Sequence, residues 1–147
     1  MPKQTESPNH LEAAITDLTL AIGQLLRRLR QEVDQGGLTW SQSSALARLD
    51  RNGPMTTAEL ARLEAVKPQS MSATLVDLEQ DGLIERRPHP TDGRQLLLSL
   101  TTKGMEVRRQ RNIAKQQWLL AAIAKFDTDE QQTLIAATAL IKRLGDV

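Results

Sequence analysis

The middle of the chain contains the stretch that decides the fold. Residues 67–104 read KPQSMSATLVDLEQDGLIERRPHPTDGRQLLLSLTTKG. Proline directly after Lys67 suits the first turn of a helix, and apolar residues recur at i, i+4 and i+7 from Met71, which predicts a helix with one buried face. Gly82 is placed to end this helix. Two apolar segments of strand length follow, with a turn-rich segment between them, so the stretch predicts a helix followed by a β-hairpin.

Two short helices are predicted before this stretch. Thr39 and Gln42 stand three residues apart, as do Thr56 and Glu59, and this is the spacing of a capping box at a helix start. The sequence Asn-Gly-Pro at residues 52–54 breaks the chain between the two helices. Three short helices, of which the last two are separated by a few residues, are typical of a helix-turn-helix.

The exposed face of the helix after Lys67 favours DNA binding. It carries short hydroxyl and amide side chains and no carboxylate, and such side chains can approach base edges in the major groove. The helix start also offers free backbone N–H groups to a phosphate. A solvated helix face is the alternative, although solvent-facing helices more often carry Glu and Lys. The candidate residues are Lys67, Pro68, Gln69, Ser70, Ser72 and Ala73.

The hairpin is predicted to be a wing, with strands at residues 83–87 and 95–100. Arg94 in the turn can enter a narrow minor groove, which attracts arginine. Asp92 is placed to hold the Arg94 guanidinium in a bidentate pair. Arg87 and His89 add to the basic patch, so both are candidate DNA contacts. An ordinary ion pair on a surface loop is the alternative for Asp92 and Arg94.

Both ends of the chain carry helices with an apolar stripe. The seam near the N-terminus steps by four and three residues, which is the pattern of a coiled coil. Ser7-Pro8 suits the start of that helix and Gly36-Gly37 its end. Packing against a second chain in a homodimer and packing within one subunit both fit the seam. The candidate dimerisation residues are Leu11, Ile15, Leu18, Ile22, Leu119, Ile123, Leu134, Ile141 and Leu144.

Composition excludes several classes of protein. The 147 residues are 39% hydrophobic and 25% charged, which fits one globular domain, 1–147. No apolar stretch approaches the roughly 18 residues that a membrane span needs, and residues 1–10 show no secretory signal. Cysteine is absent, which excludes disulfides and thiolate metal sites. We therefore expect a cytoplasmic protein without a membrane partner.

The sequence offers little for catalysis. His10 and His89 are the only histidines, and neither has a partner at metal-ligand or catalytic-triad spacing. None of the glycines forms a phosphate-binding loop. We expect a protein that is not an enzyme and that carries no metal and no cofactor.

Two motifs together resemble the MarR (multiple antibiotic resistance regulator) family. The first is the stretch from Leu60 to Arg87, and the second is Asp92-Gly93-Arg94 followed by an apolar strand and Leu-Thr-Thr-Lys-Gly at residues 100–104. The resemblance implies a mainly α winged helix, in which residues 38–100 form the DNA-binding lobe and residues 8–35 and 102–146 form the dimerisation helices. It also implies a homodimeric regulator of transcription, usually a repressor, that binds a palindromic operator in double-stranded DNA. Small lipophilic or phenolic effectors often release such proteins from DNA.

The chain departs from the family's pattern in two ways. The absence of cysteine excludes the branch of the family that senses oxidants through thiols. Many members carry a basic residue on the recognition helix where this chain has Ala73, so base readout is expected to shift toward Gln69, Ser70 and Ser72, while Ala73 can contact a thymine methyl. An effector pocket between the dimer helices and the winged lobe is expected to have an aliphatic lining, with Trp40 as one candidate. The alternative function is a winged-helix module for protein interaction that does not bind specific DNA.

Overall fold

Six helices and one β-hairpin make up residues 8–33 and 37–146, which are the residues that this computed structural model describes. Ser7 and Gly36, suggested by the sequence as ends of the first helix, lie outside the described residues. The elements in chain order are α1 (Pro8–Val33), α2 (Trp40–Asn52), α3 (Thr57–Leu63), α4 (Pro68–Gln80), β1 (Ile84–Pro88), β2 (Leu96–Leu100), α5 (Thr102–Ile123) and α6 (Thr128–Gly145).

Helices α2, α3 and α4 pack with the hairpin around one small apolar core. Its largest fully buried side chains come from all these elements: Leu46, Leu60, Leu75, Leu78, Ile84 and Leu98. The capping boxes predicted at Thr39 and Thr56 are both present, each with the reciprocal pair of hydrogen bonds. This arrangement confirms the predicted winged helix-turn-helix.

The hairpin is antiparallel, with β1 displaced by one residue from the predicted strand and β2 one residue shorter than predicted. Ile84 pairs with Leu100 and Pro88 with Leu96, so Leu83 and Gln95 lie outside the strands. Leu83 lies outside β1 because its N–H donates to the Leu78 carbonyl at 2.9 Å, a hydrogen bond that closes the end of α4. Gly82 makes this ending possible, since its φ of 72° is a left-handed value that favours glycine.

Thr101 joins the wing to α5 through three hydrogen bonds. Its hydroxyl accepts from the Gly104 N–H at 3.0 Å and donates to the Gly82 carbonyl at 2.6 Å, while its own N–H bonds the Leu83 carbonyl at 3.1 Å. Gly104 is buried beneath this junction. A Cβ there would lie 2.0 Å from the Leu83 oxygen. The Leu-Thr-Thr-Lys-Gly sequence at residues 100–104 therefore allows α5 to lie close to the start of the wing.

The terminal helices leave most of their apolar side chains exposed in the single chain. Leu11 is 56% exposed and Leu144 is 65% exposed. Val33 is the only buried residue of the described part of α1, and α6 has none. The α1 seam is consequently not part of the subunit's own core.

Candidate nucleic-acid interface

Helix α4 presents its predicted reading face to solvent. Met71, Leu75 and Leu78 are buried against the core, which leaves the opposite face of the helix free. All the candidate contacts on this face are exposed: Lys67, Pro68, Gln69, Ser70, Ser72 and Ala73. The face therefore holds short polar side chains and one cation, without a carboxylate before Asp77.

The start of α4 is open to an anion. Lys67 is the N-cap residue, and no side chain caps the helix there. Pro68 has no N–H, so the exposed Gln69 and Ser70 carry the N–H groups of the first turn. Because the positive end of the helix dipole coincides with these N–H groups and with the Lys67 ammonium, a phosphate is the ligand that suits this position.

A polar cluster behind α4 fixes the turn between α3 and α4. Glu64 accepts hydrogen bonds from the Ser44 hydroxyl and from Arg48 Nε, the latter at 2.9 Å. Burial alone would raise the pKa of Glu64, but these hydrogen bonds and the positive charges of Arg48 and Arg51 together outweigh it, and the pKa is lowered. Ala65 follows with a φ of 53°, a left-handed value that only a constrained turn imposes on alanine. Helix α2 thus positions the start of the reading helix.

The wing tip is built by two side chains that bond its backbone. His89 Nδ1 accepts the N–H groups of Thr91 at 3.2 Å and Asp92 at 3.1 Å, so the ring is the tautomer with its proton on Nε2. Asp92 Oδ1 in turn accepts the Arg94 N–H at 3.1 Å. The prediction that Asp92 holds the Arg94 guanidinium was wrong. A carboxylate two residues before an amide reaches the backbone more easily than the end of a long side chain.

The arginines of the wing differ in their partners. Arg86 Nε bonds Glu79 at 2.7 Å, and Arg87 donates to Glu85 with Nε at 2.8 Å. Arg94 is exposed, and its guanidinium has no ion-pair partner among residues 8–33 and 37–146. Arg94 is therefore the wing cation that can meet a phosphate or a minor groove without first breaking an internal pair, whereas Arg87 is already neutralised.

A cavity of about 400 Å³ lies beside Trp40, between α1, α2 and α5. The lining expected from the sequence is present only in part, since Leu26, Leu29, Val33 and Ala47 lie beside Trp40 in the lining of this cavity. Besides the apolar side chains of α1, five cationic side chains line this cavity: Arg30, Arg51, Arg108, Arg111 and Lys115. The sequence did not reveal the cluster, because its members come from three helices that are far apart along the chain.

No group of three or more metal-ligating side chains occurs within residues 8–33 and 37–146. Over the same residues, no helix combines the length and the apolar character that a membrane crossing requires.

Comparison with known proteins identifies the family. Residues 38–96 match the model of the MarR family. An uncharacterized HTH-type transcriptional regulator of Mycobacterium leprae is 38% identical over 131 residues, which cover 89% of this chain and 92% of that protein. The HTH-type transcriptional repressor MdtR of Bacillus subtilis is 28% identical over 121 residues, which cover 80% and 77% of the two proteins.

A solved structure gives the same result. The crystal structure of RV1404 from Mycobacterium tuberculosis has a TM-score of 0.83 at 28% identity, over 91% of this chain and 93% of that one. The similarity thus includes the winged helix and the terminal helices. It supports a DNA-binding regulator and not the alternative of a protein-interaction module. The chain belongs to the MarR family of transcriptional regulators.

Proposed function

We propose that this chain is a repressor that binds a palindromic operator as a homodimer and responds to a small effector. The observation that carries the proposal is the exposed face of α4, which carries no carboxylate before Asp77 and lies on the same lobe as the exposed guanidinium of Arg94. The relative MdtR is named a repressor. A dimer on a promoter represses by occupying the site that the polymerase needs.

The exposed apolar stripes of α1 and α6, together with the partly buried Leu119 and Ile123 of α5, support a two-fold dimer. Large contiguous apolar patches on the surface of a soluble protein mark interaction sites. In the proposed arrangement, residues 8–35 and 102–146 join the two subunits, and residues 38–100 of each subunit form a separate reading lobe. The two copies of α4 then enter successive major grooves, about 34 Å apart along one face of the DNA.

The operator is the first test of this proposal. Purified protein is mixed with random genomic fragments, and the bound fragments are sequenced. We expect the enriched fragments to share an inverted repeat whose half-sites lie about one helical turn apart. Enrichment that depends only on fragment length, without a shared sequence, would instead indicate non-specific binding to the backbone.

Gln69 is proposed to read a base. Gln69→Ala should weaken operator binding by about 1–3 kcal/mol per base contact and relax the preference at that base pair. The measurement compares the dissociation constants for operator and random DNA. Gln80→Ala is the matched control, because Gln80 is an exposed amide at the far end of the same helix. Equal losses on both DNAs would reduce Gln69 to a backbone contact.

Arg94 is proposed to enter the minor groove or contact its phosphates. Arg94→Ala should lower operator affinity and reduce the slope of log K against log salt by about 0.9 for each phosphate that is no longer neutralised, or nearly 2 for a dimer. Asp92→Ala should have a smaller effect, since it loosens the tip and leaves the charge in place. Arg109→Ala provides the control, because Arg109 is an exposed cation of α5 that pairs with Glu106. An unchanged slope in a folded, dimeric Arg94→Ala would make the wing purely structural.

A further inference from the structure

The exposed side of α4 becomes apolar in the middle of the helix. Val76 is 44% exposed, and Ala73, three residues before it, is exposed as well. Ala73 lies four residues after Gln69, and Val76 four after Ser72, so the two apolar side chains continue the face on which Gln69 and Ser72 lie. Single exposed apolar residues are common on protein surfaces. These two, however, lie side by side on the face that is proposed to enter the major groove.

The core of the lobe does not account for Val76. Met71, Leu75 and Leu78 fill the buried side of α4, and each is at most 3% exposed. Val76 follows Leu75 but is turned by about 100° around the helix axis, which takes its side chain out of that core. Valine is also a weaker helix former than alanine, leucine or glutamine. The position of Val76 therefore contributes little to the stability of the subunit.

Helix α4 carries no lysine or arginine between Pro68 and Gln80. Guanine presents two acceptors in the major groove, N7 and O6, and a lysine or arginine that bonds both of them is its commonest specific contact. Lys67 precedes the first turn, where its ammonium is placed for a phosphate. The middle of the reading face therefore lacks the side chain that usually selects a G·C pair.

An A·T pair matches the groups that this face does carry. The amide of Gln69 can bond adenine N6 and N7, and the C5 methyl of thymine is the apolar group that the bases display in the major groove. Gln69 and Ala73 are separated by about 6 Å along the helix, at about 1.5 Å per residue. Since this is less than two base-pair steps of about 3.4 Å, both residues can face neighbouring base pairs at the same time.

We propose that Ala73 and Val76 together hold a thymine methyl group, and that the base pairs beneath the middle of α4 are A·T pairs. This inference rests on the proposed function, because it assigns a base preference to the same DNA-binding face. The contact requires the C5 methyl and no hydrogen bond. Uracil would therefore lose it, and 5-methylcytosine would keep it. Val76 is then a specificity-determining residue of the operator complex.

The test replaces thymine by uracil in the DNA. The genomic fragment that the protein enriches most strongly is synthesised with one symmetric pair of thymines in its inverted repeat changed to deoxyuridine at a time. Uracil keeps every hydrogen-bonding group of thymine and lacks only the methyl, so base pairing and the contacts of Gln69 stay the same. We expect at least one position at which the replacement weakens binding about fourfold per half-site, or about 15-fold for both, which corresponds to one buried methyl group in each.

A cytosine at that position provides the converse measurement. The thymine is replaced by cytosine or by 5-methylcytosine, each paired with guanine in both half-sites. The two DNAs differ only in the C5 methyl, so the methylated DNA should bind more tightly by about the same 15-fold.

Val76→Ser shows whether the side chain causes the preference. Each protein is compared with itself on thymine and uracil DNA, so the ratio of its two affinities does not depend on any loss of folded protein. At the sensitive position this ratio should fall close to one in Val76→Ser. Val66→Ser is the matched control, since Val66 is 40% exposed in the turn before α4, and it should keep the ratio of the parent protein.

Two results would overturn the inference. The first is an operator that is bound equally well with thymine or uracil at every position, which would refute the methyl contact and leave the proposed function intact. The second is a thymine preference that Val76→Ser does not change, which would assign the preference to the shape of the DNA or to another side chain. A protein that enriched no shared sequence would instead refute the proposed operator, and the reading of its thymines with it.

Discussion

Replacing Gly104 by alanine should destabilise the protein by about 3 kcal/mol, the upper end of the usual range for overpacking a core. The added Cβ would meet the Leu83 oxygen at 2.0 Å and the Leu83 carbonyl carbon at 3.0 Å. Both atoms belong to the backbone, so no side-chain rotation relieves the clash. Either α5 or the start of the wing must move.

Denaturant unfolding measures this loss, and Gly93→Ala is its control. Gly93 lies in the wing turn with open space at its Cβ position, so its substitution should stay within about 0.5 kcal/mol. Gly104→Ala should also reduce operator affinity in the fraction that remains folded, because the shifted junction displaces Arg94. A Gly104→Ala protein as stable as the parent would mean that α5 and the wing are not held as closely as the Leu83 contact indicates.

The elements that the sequence predicts well are those that local chemistry determines. Each capping box joins residues three apart, so Thr39 and Thr56 mark their helix starts without knowledge of the fold. Asp127 caps α6 through the same spacing, with Glu130 three residues later. The buried face of α4 follows from the spacing of Met71, Leu75 and Leu78 in the same way.

The features that the sequence misses depend on contacts between distant residues or on the conformation of a turn. Asp92 can bond either the Arg94 guanidinium or its N–H, and the tip conformation, fixed by His89, decides for the N–H. The bridge between Met55 and Leu98 joins residues 43 positions apart and has no local signal. The cationic cavity is of the same kind, because Arg30 and Lys115 meet only after α1 and α5 have packed.

The apolar side chains of the terminal helices are not buried within one subunit. Their apolar periodicity predicts burial, yet the subunit alone leaves Leu18 44% exposed and Ile22 36% exposed. One subunit does not bury this pattern, and a second copy would bury it in the proposed homodimer. The α1 seam is therefore the place where the proposed homodimer is most open to a direct test.

Replacing Leu18 and Ile22 together by glutamate should separate the dimer. Four carboxylates would then lie in the two-fold interface, where burial without a partner is costly. A monomer holds one half-site only, so operator affinity should fall by at least about 100-fold, the lower end of the gain that linking two binding sites provides. Sedimentation equilibrium gives the mass, and operator titration gives the affinity.

Ala13→Glu with Gln24→Glu is the matched control for this variant. Both residues are exposed on α1 and lie off the apolar seam, so the same two charges enter the same helix without entering the interface. Ile141→Glu is an independent test on α6. Ile141 is 50% exposed on the C-terminal stripe, so a glutamate there should also weaken the dimer. A Leu18→Glu, Ile22→Glu protein that stayed dimeric and bound the operator normally would show that α1 is exposed for another purpose. If both interface variants dissociate while the control stays dimeric, the helices at the two chain ends form the dimer interface. That interface would then place two reading lobes on one operator.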